Sequence, residues 1–156
     1  MVAGVAECIG KEKVGVRFAP LFSSTDEERT YLGMVEDDPH TTYIEAIKVL
    51  EDVGIAYLSI AEADWDNAPR MPESFRRAVR SSFSGAIIYA GRYTAQSATQ
   101  LLDSGLADLV AFGRTFMANP DLPARIANDW PLNPLNSATV YGGNAEGYTD
   151  YSMYGG

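Results

Sequence analysis

Two stretches of this chain combine residue types that can hold an anion. Leu109-Val110-Ala111-Phe112 runs into Gly113-Arg114, and Gly85-Ala86-Ile87-Ile88-Tyr89-Ala90 runs into Gly91-Arg92. In each, an apolar run long enough for a buried strand ends in a glycine, which lets backbone N–H groups come close to a phosphate. The arginine beside it can grip phosphate oxygens with two donors. Helical segments follow, one opened by Asn119-Pro120-Asp121 and the other capped by Thr94, and a helix N-terminus adds partial positive charge. A single such turn serves equally well as a plain strand-to-helix connection with a solvated arginine; two in succession favour an anion site.

Other chemistry-bearing residues stand more alone. Arg17 interrupts the apolar stretch Val14–Pro20, so it requires either an acidic or electron-rich partner or a strand end open to water. Carboxylates cluster in Glu62-Ala63-Asp64-Trp65-Asp66 at the end of another apolar run, where they read as loop anchors. His40, the single histidine, lies beside Pro39 and has no catalytic partner in the local sequence. Arg76, Arg77 and Arg80 lie off the apolar stripe Phe75, Val79 and Phe83 and read as a solvated basic face.

Composition narrows the possible functions. A formal net charge of −9 disfavours a nucleic-acid groove or an anionic membrane surface, so a phosphate site must be a local arginine pocket. One cysteine, Cys8, precludes an internal disulfide framework or a thiolate metal cluster and fits a reducing, cytoplasmic setting. No apolar run reaches about 18 residues, and no signal-peptide pattern is present.

The elements that must position these residues alternate. Met1–Gly10 reads as the end of a helix closed by Gly10. Strands are expected near Val14, Ile55, Ala86 and Leu109, each followed by at least one helix: one from Thr41 or Thr42 with Tyr43, Ile47, Leu50 and Val53 inward, one opened by Pro72, and one from Thr94 with Ala95, Ala98 and Leu102 inward. Near-continuous apolar strands alternating with amphipathic helices predict an α/β fold with a parallel sheet, packed on both faces and joined by right-handed crossovers. Four βα units are half of a TIM (β/α)8 barrel, and consecutive Gly-Arg loops match the phosphate site that such barrels build after strands 7 and 8. The predicted organisation is a half-barrel over 1–130 and a tail over 131–156 that wraps the barrel top.

Several motifs carry a family resemblance. Val14-Gly15-Val16-Arg17-Phe18-Ala19-Pro20, Ile55-Ala56-Tyr57-Leu58, Ala111-Phe112-Gly113-Arg114, Asn119-Pro120-Asp121-Leu122, Tyr141-Gly142-Gly143 and Glu146-Gly147-Tyr148-Thr149-Asp150-Tyr151 agree in order and spacing with one family. They resemble strands 5–8 and the tail of the old yellow enzyme family, nearest its N-ethylmaleimide and pentaerythritol tetranitrate reductase branch. The resemblance implies an FMN cofactor, NADPH or NADH as hydride donor, and activated alkenes such as enones, maleimides and nitroalkenes as substrates. It assigns Arg17 to the pyrimidine edge of the flavin, Ala90, Gly91, Arg92, Gly113 and Arg114 to cofactor and phosphate contacts, and Tyr141 to the flavin and substrate pocket, with Phe22 and Trp65 lining that pocket. Arg92 stands where relatives often carry a small residue or asparagine, and Ser152 where proline is common. The family's substrate-holding histidine pair or histidine-asparagine pair and its proton-donating tyrosine belong to its N-terminal half. This chain is therefore expected to work with a complementary N-terminal half-barrel, or else to self-associate as a non-catalytic unit that at most binds FMN or phosphate. A phosphosugar-handling barrel is the more remote alternative, because it gives Arg17 and the tyrosine-rich tail no role.

Overall fold

The computed structural model describes residues 1–22, 38–63, 70–141 and 145–155. Contacts group the chain into two units, Met1–Ala111 and Phe112–Gly156, a division that falls earlier in the chain than 130/131.

The first unit is built on a sheet of β1 (Gly15–Phe18), β2 (Tyr57–Ala61), β3 (Ala86–Ala90) and β4 (Leu109–Ala111), in that order and all parallel. Its helices are α1 (Val2–Ile9), α2 (Pro39–Val53), α3 (Glu73–Ser82) and α4 (Ala95–Asp103). Side chains alternate across a strand, so Leu58, Ile60, Ile87 and Tyr89 fall on one face and pack against Ile44, Ile47 and Leu50 of α2 and Phe75 and Val79 of α3. All four of those strand side chains are fully buried.

The opposite face corrects the expectation of a sheet packed on both sides. Tyr57 is 40% exposed and Leu109 53% exposed. The register sets Arg17, Ser59, Ile88 and Leu109 in one row across this open face, with Gly15, Tyr57 and Ala86 in the row before it. Gly15 is needed there for space: a Cβ would lie 2.2 Å from the Tyr57 ring, which lies over the glycine backbone.

Local chemistry refines the helix bounds. α2 starts at Pro39, earlier than Thr41, because the Asp38 side chain accepts a hydrogen bond from the Thr41 N–H at 3.0 Å and proline suits the first turn. Its fully buried face is Ile44, Ile47 and Leu50, and Tyr43 and Val53, partly buried, pack against the same core. On α4, the Thr94–Ser97 capping box sets the helix so that Ala98 is buried and Leu101 packs against the core, whereas Ala95 and Leu102 are exposed.

The second unit holds α5 (Arg114–Ala118), α6 (Leu122–Asn128) and the segment beyond, where a 3-10 turn at Ser137–Thr139 is the one further regular element among the described residues. Arg125 organises it. Its side chain is only 3% exposed; it pairs with Asp121 at 2.6 Å and donates to the Pro131 and Ser152 carbonyls, the latter at 3.0 Å. Asp121 in turn accepts from the Tyr154 N–H at 2.8 Å, and the Tyr154 ring stacks on Trp130 at 4.5 Å. Asn119, fully buried, accepts from the Asn133 N–H at 2.7 Å and donates to the Thr115 carbonyl at 2.8 Å.

The Tyr154 N–H and then the Arg125 guanidinium hold the Asp121 carboxyl below its ordinary pKa of 3.8. A depressed folded-state pKa contributes stability above 3.8 that is lost as pH falls through the lower folded value. Acidification is therefore expected to release the 131–155 segment, read as a change in Trp130 fluorescence. Asp121→Asn should abolish that acid step.

Candidate functional site

Parallel pairing brings the carboxyl ends of all four strands to one edge, where open α/β sheets and barrels place their sites. Arg17, next to last in β1, lies on the open face at this edge, in register with Ser59. It is exposed and makes no ion pair or hydrogen bond to another described residue. It is a fixed positive charge on a face whose row is otherwise Ser59, Ile88 and Leu109.

At the end of β3, Gly91 packs closely. A Cβ there would stand 3.2 Å from Cβ of Glu62 and 3.5 Å from the Tyr93 ring, so the loop lies against its neighbour strand's end with little room for a side chain. Arg92, next in the chain, is exposed. In the second unit, Gly113 is the N-cap of α5 and Arg114 its first residue, also exposed. No side chain caps that helix, and a Cβ on Gly113 would meet nothing within 4 Å.

A polar cluster not expected from the sequence lies beneath the β2 and β3 ends. The Glu62 carboxylate accepts from Nη2 of Arg76 through both oxygens at 2.8 Å and from the Tyr93 hydroxyl. Arg76 also donates to the Met71 carbonyl at 3.3 Å, and its guanidinium lies over the Tyr89 ring, 5.7 Å from the centroid. Arg80 is engaged too, with Asp108 at 2.9 Å and with the Phe83 and Gly85 carbonyls. Of the three arginines read as a solvated basic face, only Arg77, paired with Glu73, is solvated. The signal was available: Arg76 and Arg80 sit four apart, immediately beside Phe75 and Val79 of the buried stripe, where a long side chain reaches back over the sheet end.

Burial shapes the ionisation of this cluster. It pushes the Tyr89 hydroxyl far above its ordinary 10.0, and it pushes Tyr93 up as well, helped by the hydrogen bond to Glu62 and that carboxylate's charge. For Arg76, burial works against the charge, but the Glu62 hydrogen bond and charge outweigh it and hold the pKa above its ordinary value.

Residues 1–133 match the family described as NADH:flavin oxidoreductase / NADH oxidase. The chain belongs to that family. Among curated relatives, putative 12-oxophytodienoate reductase 11 of Oryza sativa subsp. japonica is 35% identical over 97% of this chain and 40% of its own length. A probable flavin mononucleotide-dependent alkene reductase of Leishmania infantum is 31% identical over 94% of this chain and 38% of its own. Among solved structures, morphinone reductase superposes with a TM-score of 0.86 at 41% identity, covering 97% of this chain and 39% of that one. The old yellow enzyme from Trypanosoma cruzi gives 0.83 at 35% identity, covering 98% and 38%. The chain thus spans about two fifths of the length of these relatives. Its parallel βα units are part of the TIM-barrel fold of the old yellow enzymes.

The remaining residues that the family resemblance singled out fall as follows. Ala90, half-buried, ends β3 on the same sheet face as Arg17. The Phe22 ring packs against Phe75 at 4.8 Å, within the cluster under the sheet, and His40 lies edge-on to the same ring at 5.5 Å. Tyr141, in the second unit, is 87% exposed. Trp65 lies outside the described residues.

The two buried hydroxyls supply a direct check on the cluster. A tyrosine whose folded pKa is raised contributes stability below 10.0 that is lost as pH climbs above that value. Spectrophotometric titration should show Tyr89 and Tyr93 ionising only as the chain unfolds in strong alkali, after the exposed tyrosines have titrated. Tyr93→Phe should remove one of the late-ionising groups.

Proposed function

We propose that this chain is the C-terminal half of an FMN-dependent NAD(P)H ene reductase, active when the N-terminal half of the barrel is present. The carrying observation is Arg17, an exposed guanidinium on the open sheet face at the carboxyl edge, in a chain of net charge −9. Membership of the flavin oxidoreductase family supports FMN as the cofactor. The residues present fit such a group: Arg17 offers positive charge beside an open apolar face, and Gly91, with no side chain of its own, follows the carboxyl end of β3.

Bound FMN supplies two-electron chemistry, taking hydride from NADPH or NADH and passing it to the β-carbon of an activated alkene such as an enone, maleimide or nitroalkene. The work of this chain is binding and electrostatic. Arg17 opposes the negative charge that reduction brings to the pyrimidine side of the flavin, and so favours the reduced state. Ala90, Gly91 and Arg92 in the first unit, and Gly113 and Arg114 in the second, bind the cofactor through backbone N–H groups and guanidinium donors. Tyr141, Phe22 and Trp65 contribute to the substrate pocket. No residue of this chain is assigned the proton step, which falls to the N-terminal half.

The open face also supports association. Tyr57, Ile88 and Leu109 form an apolar surface on a parallel sheet, which such folds ordinarily cover on both sides. A complementary half-barrel is the proposed cover. The second reading, a self-associating half-barrel without turnover, rests on the same face.

Arg17→Met, in the chain joined by its N-terminal half, tests the reading. A dye-linked redox titration should show the two-electron flavin potential falling by about 30 mV, equivalent to a tenfold change in the reduction equilibrium, with slower reduction by NADPH and FMN still bound. An unchanged potential makes Arg17 a structural residue. Arg114→Ala is expected instead to weaken FMN binding by about tenfold, since hydrogen bonds to charged groups contribute roughly 1.5–3 kcal/mol; fluorescence titration of the flavin reads it.

A further inference from the structure

Resting on the flavin reading above, we infer that Glu62, Arg76 and Tyr93 form a positioning device for the Gly91–Tyr93 loop, setting the cofactor's phosphate contacts without touching the cofactor. The cluster lies against the backbone at the carboxyl ends of β2 and β3. The Glu62 N–H extends the sheet ladder by donating to the Ala90 carbonyl at 2.8 Å, so the carboxylate is fixed directly beside the loop. That carboxylate then accepts from the Tyr93 hydroxyl, and the Glu62 Cβ and the Tyr93 ring close on Gly91 from two directions. Downstream, the Thr94–Ser97 capping box fixes the chain where α4 begins. Three residues, Gly91, Arg92 and Tyr93, are therefore held between an anchored strand end and a capped helix, with Glu62 as the lateral support.

Arg76 gives this support its rigidity and extends its reach. With both Glu62 oxygens bound by one guanidinium nitrogen at 2.8 Å, the carboxylate has little rotational freedom. The same guanidinium donates to the Met71 carbonyl, so it ties together both ends of the β2–α3 connection, the stretch of sequence that carries Trp65. One buried ion pair thus fixes the ends of two successive βα connections, one proposed to hold phosphate and the other proposed to line the pocket. Arg76 and Glu62 side chains are 19% and 15% exposed, so the tie is shielded from solvent competition.

The test is the preference for FMN over riboflavin, which lacks the phosphate, measured by fluorescence titration on the chain joined by its N-terminal half. Tyr93→Phe removes the hydroxyl that donates to Glu62 and keeps the ring, and should cut that preference by about fivefold, the worth of a typical hydrogen bond, while riboflavin affinity is retained. Glu62→Ala should cut it further. Arg77→Met, on the exposed face of α3, should leave it unchanged. A merely structural cluster gives a different result: both flavins weaken in parallel with a lowered melting temperature, or neither changes, and either outcome for Tyr93→Phe overturns the positioning role. If the unaltered protein shows no preference for FMN, the flavin-phosphate reading itself fails, and this inference with it.

Discussion

The structure depends on a pleated, fully parallel sheet having to hide one face at a time. Leu58, Ile60, Ile87 and Tyr89 must point the same way because their strands pair in register, and α2 and α3 lie over that side. Everything of chemical interest is a by-product of that choice. Ser59 and Ile88, between them in sequence, and Arg17, in register with Ser59, are forced onto the other face, and the parallel direction gathers the strand ends with Glu62 and Gly91 at one edge. A charged residue can sit mid-strand at position 17 because the alternation that buries Val16 and Phe18 against the helices delivers it to the open side.

Electrostatics divides the arginines by role. Arg76, Arg80 and Arg125 are drawn into contacts with Glu62, Asp108 and Asp121, each supplemented by backbone carbonyls. Carbonyls at strand and helix ends supply acceptors that one carboxylate cannot, and Nε of Arg76 is the buried donor left without one among the described residues. Arg17, Arg92 and Arg114 stay exposed, and they are the arginines at the strand-end positions where anion binding is proposed.

The fold was largely legible because its signals are local. The period of Ile47, Leu50, Phe75, Val79 and Ala98, the glycines at Gly10 and Gly54 and the cap at Thr94 each act within a turn or two, and all correspond to observed elements. Arg17 and the Gly-Arg pairs were legible for the same reason, being anomalies within a strand or at its end. The Glu62–Arg76–Tyr93 tie was not. Its members come from two different connections and a helix, and what brings them together is the rotation of α3 about its axis and the register of β2 on β3, neither of which a local pattern specifies. The exposed second face was hidden as well, since an apolar run reads alike whether one or both of its sides are covered.

The Arg125 latch has a consequence for how freely this chain can vary. Both Arg125 and Asn133 recognise the carbonyl of Ser152, at 3.0 and 2.9 Å, and leave its hydroxyl out of the arrangement. The oxygen they grip belongs to the main chain and is supplied by all twenty residue types. Proline at that position would lack an N–H but offer the same oxygen. The exchange of proline for serine is therefore silent to the latch: the lock reads the thread of the polypeptide and is blind to the letter written on it.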